Sequence, residues 1–401
     1  MLDIASLRGT EFPLTRDTIY LDAASIGPLP QRSRRALDAF NAKRCTPHLF
    51  SKPEQFGVLE QGRALVARLL NAQVDEIALV TNTSFGINVA ARALPLGPGD
   101  VVLASDREFP ANVYPWMKLD DRGVRLELAP CTAEGWPDEA YLLERIRAPE
   151  VKALAVSLVQ FSNGYTVDLA RLSRATRETG TWLVVDAIQA IGQLPVDLGA
   201  VEVDVLACGA QKWLLSPWGT GFLYVRRGIL PQLTPPMAGW LAFRGTDDFN
   251  RLTHYDPTWH DDARRFEMIT LPFQDFAAMN ASLELLLEVG ISEIAAHLAT
   301  LNEPLLDLAD RRGFQVTSPR SPFSVLRSPS SIICLRVPDA AHVHGELRRA
   351  GVICSLREGN LRFAPHVYNT LDDVERAARA VDHLTGDRAL WRTMAAGDIP
   401  A

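Results

Sequence analysis

Three polar segments of this sequence each follow a run of apolar residues. Lys212 comes directly after Val205-Leu-Ala-Cys-Gly-Ala-Gln211 and precedes Trp213-Leu-Leu215. A lysine in that setting either snorkels to the rim of the fold or is a desolvated amine of depressed pKa, ready to form a Schiff base. Asp186 closes the run Trp182-Leu-Val-Val185. A carboxylate there needs a partner, because burying it alone costs several kcal/mol. It can cap the following helix or be held against a cationic ring nitrogen. Thr81-Asn-Thr-Ser-Phe-Gly-Ile-Asn88 follows Ile77–Val80 and opens a helical pattern. Its hydroxyls, with the first-turn N–H groups of that helix, serve either as ordinary caps or as a phosphate cradle.

Each segment is ambiguous alone. Jointly, in this order on one sheet, they match what pyridoxal 5'-phosphate requires: an anchored phosphate, a charged pyridinium and an aldehyde held on an amine. The Asp keeps the ring nitrogen protonated, and the ring becomes an electron sink for a carbanion at a substrate Cα. Gln189 lies three residues after Asp186, so one helical turn brings it alongside.

These residues need strand ends to hold them. From Glu76 to Val225 short apolar runs alternate with helical patterns. Strands are expected at Ile77–Val80, Val101–Ala104, Val124–Leu128, Leu154–Val159, Trp182–Val185, Val205–Cys208 and Gly221–Val225. Helices are expected at Gly86–Leu94, Tyr141–Arg147 and Leu169–Thr179. That alternation implies an α/β fold, a buried and mostly parallel sheet with helices on both faces. Ligands of such sheets bind outside the carboxyl ends of the strands. Gln232–Thr270 is rich in Pro, Gly, Trp and Asp and reads as loop. Helices near Phe276–Val289 and Ile291–Arg311 follow. After them come strands at Ser331–Val337, Val352–Ser355 and Leu361–Phe363, and helices at Ala340–Arg349 and Leu371–Leu384. The expected division is a large domain at 21–278 and a small C-terminal α+β domain at 279–401, with residues 1–20 packing near the small one.

Composition narrows the function. Lys plus Arg number 41 and Asp plus Glu 48, so the net charge is 41 − 48 = −7. An acidic chain without a basic block is a poor partner for nucleic acid. No apolar run is long enough to span a membrane, and no signal peptide is visible at the N-terminus. The five cysteines are scattered and form no CxxC, which points to a reducing cytoplasm. No metal site is expected, since the histidine spacings match no ligand motif. The absence of GxGxxG and GxxxxGK[ST] disfavours a nucleotide-dependent enzyme.

From Tyr20-Leu-Asp-Ala-Ala-Ser25 to Tyr368-Asn-Thr370 the chain resembles the class V aminotransferase superfamily, which includes cysteine desulfurases, selenocysteine lyases, isopenicillin N epimerase-like enzymes and kynureninases. Asp186-x-x-Gln189, Gln211-Lys212-Trp213 and Gly219-Thr-Gly-Phe222 carry the likeness most specifically. The resemblance implies fold type I of the pyridoxal phosphate enzymes, with a seven-stranded large domain, a small domain and a homodimer with shared sites. It implies that Lys212 forms the Schiff base, that Asp186 pairs with the pyridine nitrogen and that Gln189 reaches the ring hydroxyl. Thr83 and Ser84 match the phosphate-binding pair. Phe109, in Arg107-Glu-Phe-Pro110, falls where a ring stacks on the cofactor; kynureninase-like members have Phe there and desulfurases His. Gln211 and Trp240 fall in cofactor-contacting positions. Thr270 matches a phosphate contact supplied by the partner subunit, and Arg362 the clamp on the substrate carboxylate.

The sequence also departs from the desulfurases. The cysteine nearest Arg362 is Cys354, in an apolar Val-Ile-Cys run with only a short segment after it. It reads as packing, not as the reactive thiol of a mobile loop. Gly209 replaces a serine often found three residues before the lysine. With Phe109 and Arg362 in contexts that resemble the kynureninases, the expected reaction is elimination or Cβ-bond cleavage on a small amino acid. Transamination and epimerisation are the alternatives, and a catalytically silent interaction or sensing relative is a further one, disfavoured by the intact Lys212 and Asp186.

Overall fold

The computed structural model describes residues 3–320 and 330–386. The chain forms two compact units, one of Gly27–Gln160 with Thr166–Ile291, the other of Met1–Ile26, Phe161–Tyr165 and Ser292–Ala401. Ala278, where the sequence suggests a boundary, lies inside the helix Phe273–Val289.

The larger unit is built on a seven-stranded sheet. Its strands are β1 (Ile77–Leu79), β2 (Val101–Ser105), β3 (Arg125–Ala129), β4 (Val151–Ser157), β5 (Trp182–Asp186), β6 (Val205–Gly209) and β7 (Gly221–Val225). Their order across the sheet is β1-β7-β6-β5-β4-β2-β3. The pairs from β6 through β5, β4 and β2 to β3 are parallel, whereas β7 runs antiparallel to both β1 and β6. The reversal has a local cause. Segment 210–220 contains no helix, and a parallel return needs a longer crossover. Every residue of β2, β6 and β7 is buried, which explains their unbroken apolar character. The edge strand β3 is half exposed.

Helices α1 (Gln31–Arg44), α2 (Lys52–Leu70), α3 (Thr83–Ala93), α4 (Leu169–Thr179) and α5 (Phe273–Val289) belong to the same unit. Helix α3 starts at the cap Asn82, whose side chain accepts the Phe85 N–H at 2.8 Å. It lies close on the sheet: a Cβ placed on Gly86 would sit 2.7 Å from the Ala207 Cβ of β6. Only glycine permits that approach.

In the smaller unit, Ile19–Tyr20 pairs in parallel with Val352–Ile353. An antiparallel sheet has the order Ser355–Arg357, Asn360–Phe363, Ile333–Arg336, Gln315–Val316. The expected long helix after Ile291 is two helices, Ile291–Leu301 and Glu303–Arg312. Pro304 explains the break, because its ring fits only the first turn of a helix.

Candidate active site

Ser157 of β4 is the register partner of Asp186, and Asp186 that of Ala207. The carboxyl ends of β4, β5 and β6 therefore lie side by side, where an open α/β sheet binds ligands. Asp186 is 2% exposed and its Oδ1 accepts the Ile188 N–H at 3.0 Å. Burial pushes its carboxyl pKa up to about 7, with Glu108 adding to the rise; the Ile188 N–H and the Lys212 ammonium oppose it. A buried carboxylate in this condition gains from any cation set against it.

Residues 188–190 form a turn instead of the helical turn expected from the sequence. The Gln189 side chain is fixed by Trp213, whose indole N–H donates to Gln189 Oε1 at 2.8 Å. Indole only donates, so the oxygen of the amide must face Trp213.

Lys212 sits in a closed loop. The Leu215 N–H donates to the Lys212 carbonyl at 3.1 Å and the Ser216 N–H to the Ala210 carbonyl at 3.0 Å. Leu215 is fully buried with φ 54°, a left-handed conformation worth about 1–3 kcal/mol of strain. The Ser282 hydroxyl of α5 holds it there by donating to the Leu215 carbonyl at 2.8 Å. The Lys212 Nζ lies 5.5 Å from the centroid of the Phe109 ring, and Phe109 is 41% exposed.

The head of α3 is tied to the same loop. Thr83 is buried and its Oγ1 accepts the Gly209 N–H at 2.8 Å, so its own proton remains to be donated. Ser84 is exposed. A Cβ on Gly209 would lie 2.6 Å from Gln211 Oε1 and 3.3 Å from the Thr83 backbone nitrogen. The glycine thus makes room for Gln211 beside the helix start, which gives the departure at this position a physical reason. An anion at this point meets a helix N-terminus and two hydroxyls.

Sequence reasoning missed Glu108. It is buried, with four donors on its carboxylate. Oε1 accepts the Ser157 N–H at 2.9 Å and the Gln160 amide at 2.8 Å. Oε2 accepts the Ser157 hydroxyl, and the Asn112 amide at 3.2 Å. Burial raises its pKa while these donors oppose the rise. Asn112 Oδ1 in turn accepts the indole N–H of the buried Trp116 at 3.2 Å. The available signal was positional: Glu108 follows the end of β2 closely, as Asp186 ends β5.

Trp240 and Thr270 come from the long loop and are exposed. Trp240 packs edge-on against Phe249 at 5.8 Å. The loop end is anchored by Glu267, which takes a bidentate pair from Arg63 at 2.8 and 2.7 Å and the Leu79 N–H at 2.9 Å. A cavity of about 320 Å³ is lined by Leu241 and Ile269, the sequence neighbours of these two residues, together with Phe56, Phe249, Lys52 and Arg264.

Arg362 belongs to the smaller unit, on the strand Asn360–Phe363. It is buried, and its guanidinium donates to Ser355 Oγ at 3.1 Å, the Phe161 carbonyl at 2.7 Å, Ser25 Oγ at 2.6 Å and Asp22 Oδ1 at 3.4 Å. A guanidinium has five N–H groups, so a carboxylate gripping it with two must displace one of these partners. Cys354 lies between two short strands, 5% exposed, with its thiol pushed up to about 12 by burial. Among the described residues no helix is long and apolar enough to cross a membrane.

The family model for class-V aminotransferases matches residues 19–376. An uncharacterized aminotransferase of Bacillus subtilis, YcbU, is 30% identical, covering 79% of this chain and 81% of the relative. The isopenicillin N epimerase of Streptomyces clavuligerus is 29% identical, covering 92% and 95%. The apo cysteine desulfurase of Thermococcus onnurineus NA1 has the same fold, with a TM-score of 0.84 at 22% identity, covering 95% of this chain and 98% of that one.

Proposed function

Because this chain belongs to the class-V aminotransferase family, we propose that it is a pyridoxal 5'-phosphate enzyme acting at the Cα and Cβ of a small amino acid, with elimination or Cβ-bond cleavage as its reaction. The observation that carries the cofactor reading is Asp186: a buried carboxylate at a strand end, its pKa raised to about 7 and its side chain accepting the Ile188 N–H. A protonated pyridine nitrogen set against such a group would stabilise its charged form further.

The residues fit the rest of that group. Thr83 and Ser84, at the head of α3, receive the phosphate, with Gln211 beside them. Gln189 reaches the ring hydroxyl, its amide orientation set by Trp213. Phe109 would stack on the ring, and Lys212 Nζ, 5.5 Å from the Phe109 centroid, would hold the aldehyde carbon. When bound, the cofactor supplies an electron sink for charge developing at Cα. Lys212 Nζ would take the Cα proton as general base and donate a proton to the departing group as general acid. Arg362 anchors the substrate carboxylate, Trp240 lies in a cofactor-contacting position, and Thr270 serves the site of a second copy in a homodimer. A reducing cytoplasm suits the five free cysteines.

Cleavage ranks first because Phe109 and Arg362 stand in kynureninase-like contexts, while the buried Cys354 thiol disfavours persulfide transfer. A second reading, epimerisation or aminotransfer, is supported by the 29% identity to the isopenicillin N epimerase. Incubating the cofactor-loaded protein with a panel of amino acids separates the two. Elimination gives a 2-keto acid, ammonia and the released β substituent by mass spectrometry, and Cβ-bond cleavage gives a shortened amino acid with the cleaved fragment. Epimerisation gives only loss of optical purity, and aminotransfer requires a keto-acid acceptor.

A further inference from the structure

Glu108 is a buried carboxylate for which the reaction has no use. Its four donors come from two places: Asn112, on its own segment, and Ser157 with Gln160, at and beyond the end of β4. The carboxylate therefore joins the chain that leaves β2 to the strand whose last residue is the register partner of Asp186. The next residue is Phe109, beside Lys212. We propose that Glu108 is a positioning residue, tying the segment that carries Phe109 to the end of β4 and so setting the pitch of that ring; this rests on the cofactor reading above.

The chemistry of the tie calls for a carboxylate. Both oxygens accept two donors each, which an acceptor-only group provides. In Glu108→Gln one oxygen becomes an NH2 facing N–H or O–H groups. If it replaces Oε2, the Asn112 amide has to turn, and the Trp116 indole then loses its acceptor. The volume is unchanged and the removal of a desolvated charge offsets part of the cost of the mismatched donors, so the fold is kept while the tie loosens.

The test is the visible-region circular dichroism of bound pyridoxal phosphate, expressed per bound cofactor, because that signal reports how rigidly the ring is held. Glu108→Gln should lower the band at least twofold in protein that is still fully folded at the assay temperature, and Ser157→Ala should lower it less. In a Phe109→Leu background, Glu108→Gln should have no further effect, because both act through one ring. An unchanged band in folded Glu108→Gln, or a full additional loss in the Phe109→Leu background, overturns the inference. Should Glu108→Gln fail to fold, Ser157→Ala and Gln160→Ala read the tie from its other side, and an unchanged band in both overturns it equally. A wild-type protein that takes up no cofactor contradicts the cofactor reading itself, and the inference goes with it.

Discussion

Thr83 Oγ1 accepts the Gly209 N–H at 2.8 Å, joining the head of α3 to the end of β6. Through this bond the expected phosphate cradle and the lysine loop hold one another in place.

Thr83→Ala removes the acceptor from a buried N–H, at a cost of about 1–3 kcal/mol, and takes away a phosphate donor. The unfolding midpoint should fall and the Kd for pyridoxal phosphate rise, while Thr83→Ser keeps both near wild type. Equal cofactor affinity in the Ala and Ser variants contradicts the cradle.

Asp186 gives the cofactor-free protein a pH signature. Its folded pKa, about 7, lies above that of an unfolded Asp. The native state therefore keeps a proton between about pH 4 and pH 7 that the unfolded state has lost. Stability falls as pH rises through that window and levels off above it, a change on the order of 4 kcal/mol. Glu108, also raised by burial, contributes with the same sign. Urea unfolding at pH 5 and pH 8 should show a smaller loss for Asp186→Asn than for wild type; equal losses argue against the shifted carboxyl. In the loaded enzyme the same variant should slow turnover by at least about tenfold, the equivalent of about 1.4 kcal/mol.

Cys354→Ser should keep most of the activity on the native substrate. The thiol is buried, its pKa is pushed up to about 12, and its residue lies between two short strands. Desulfurase chemistry needs an exposed thiolate of low pKa. A persulfide found on Cys354 after incubation with cysteine would overturn this and make desulfuration the leading reaction.

Much of the larger unit was legible because its inner strands are buried on both faces and read as plain apolar runs. Lys212 and Asp186 stood out as charges interrupting those runs. Helix α1 did not: its charged sequence buries only Ser33 and Phe40, too little for an apolar stripe. The reversal of β7 was hidden because direction depends on the connection, not on strand composition. Glu108 was hidden by its neighbours, since Arg107-Glu-Phe-Pro110 looks like ordinary loop until Ser157 and Gln160 close on the carboxylate. Arg362 carried no local sign of its partners, because Asp22, Ser25 and Phe161 are distant in sequence.

The most direct measurement is to reconstitute the protein with pyridoxal phosphate, reduce it with borohydride and map the adduct by mass spectrometry. The account predicts a yellow protein before reduction and one modified peptide carrying the cofactor on Lys212, with no adduct in Lys212→Ala. No visible absorbance after reconstitution, or an adduct on another lysine, contradicts it.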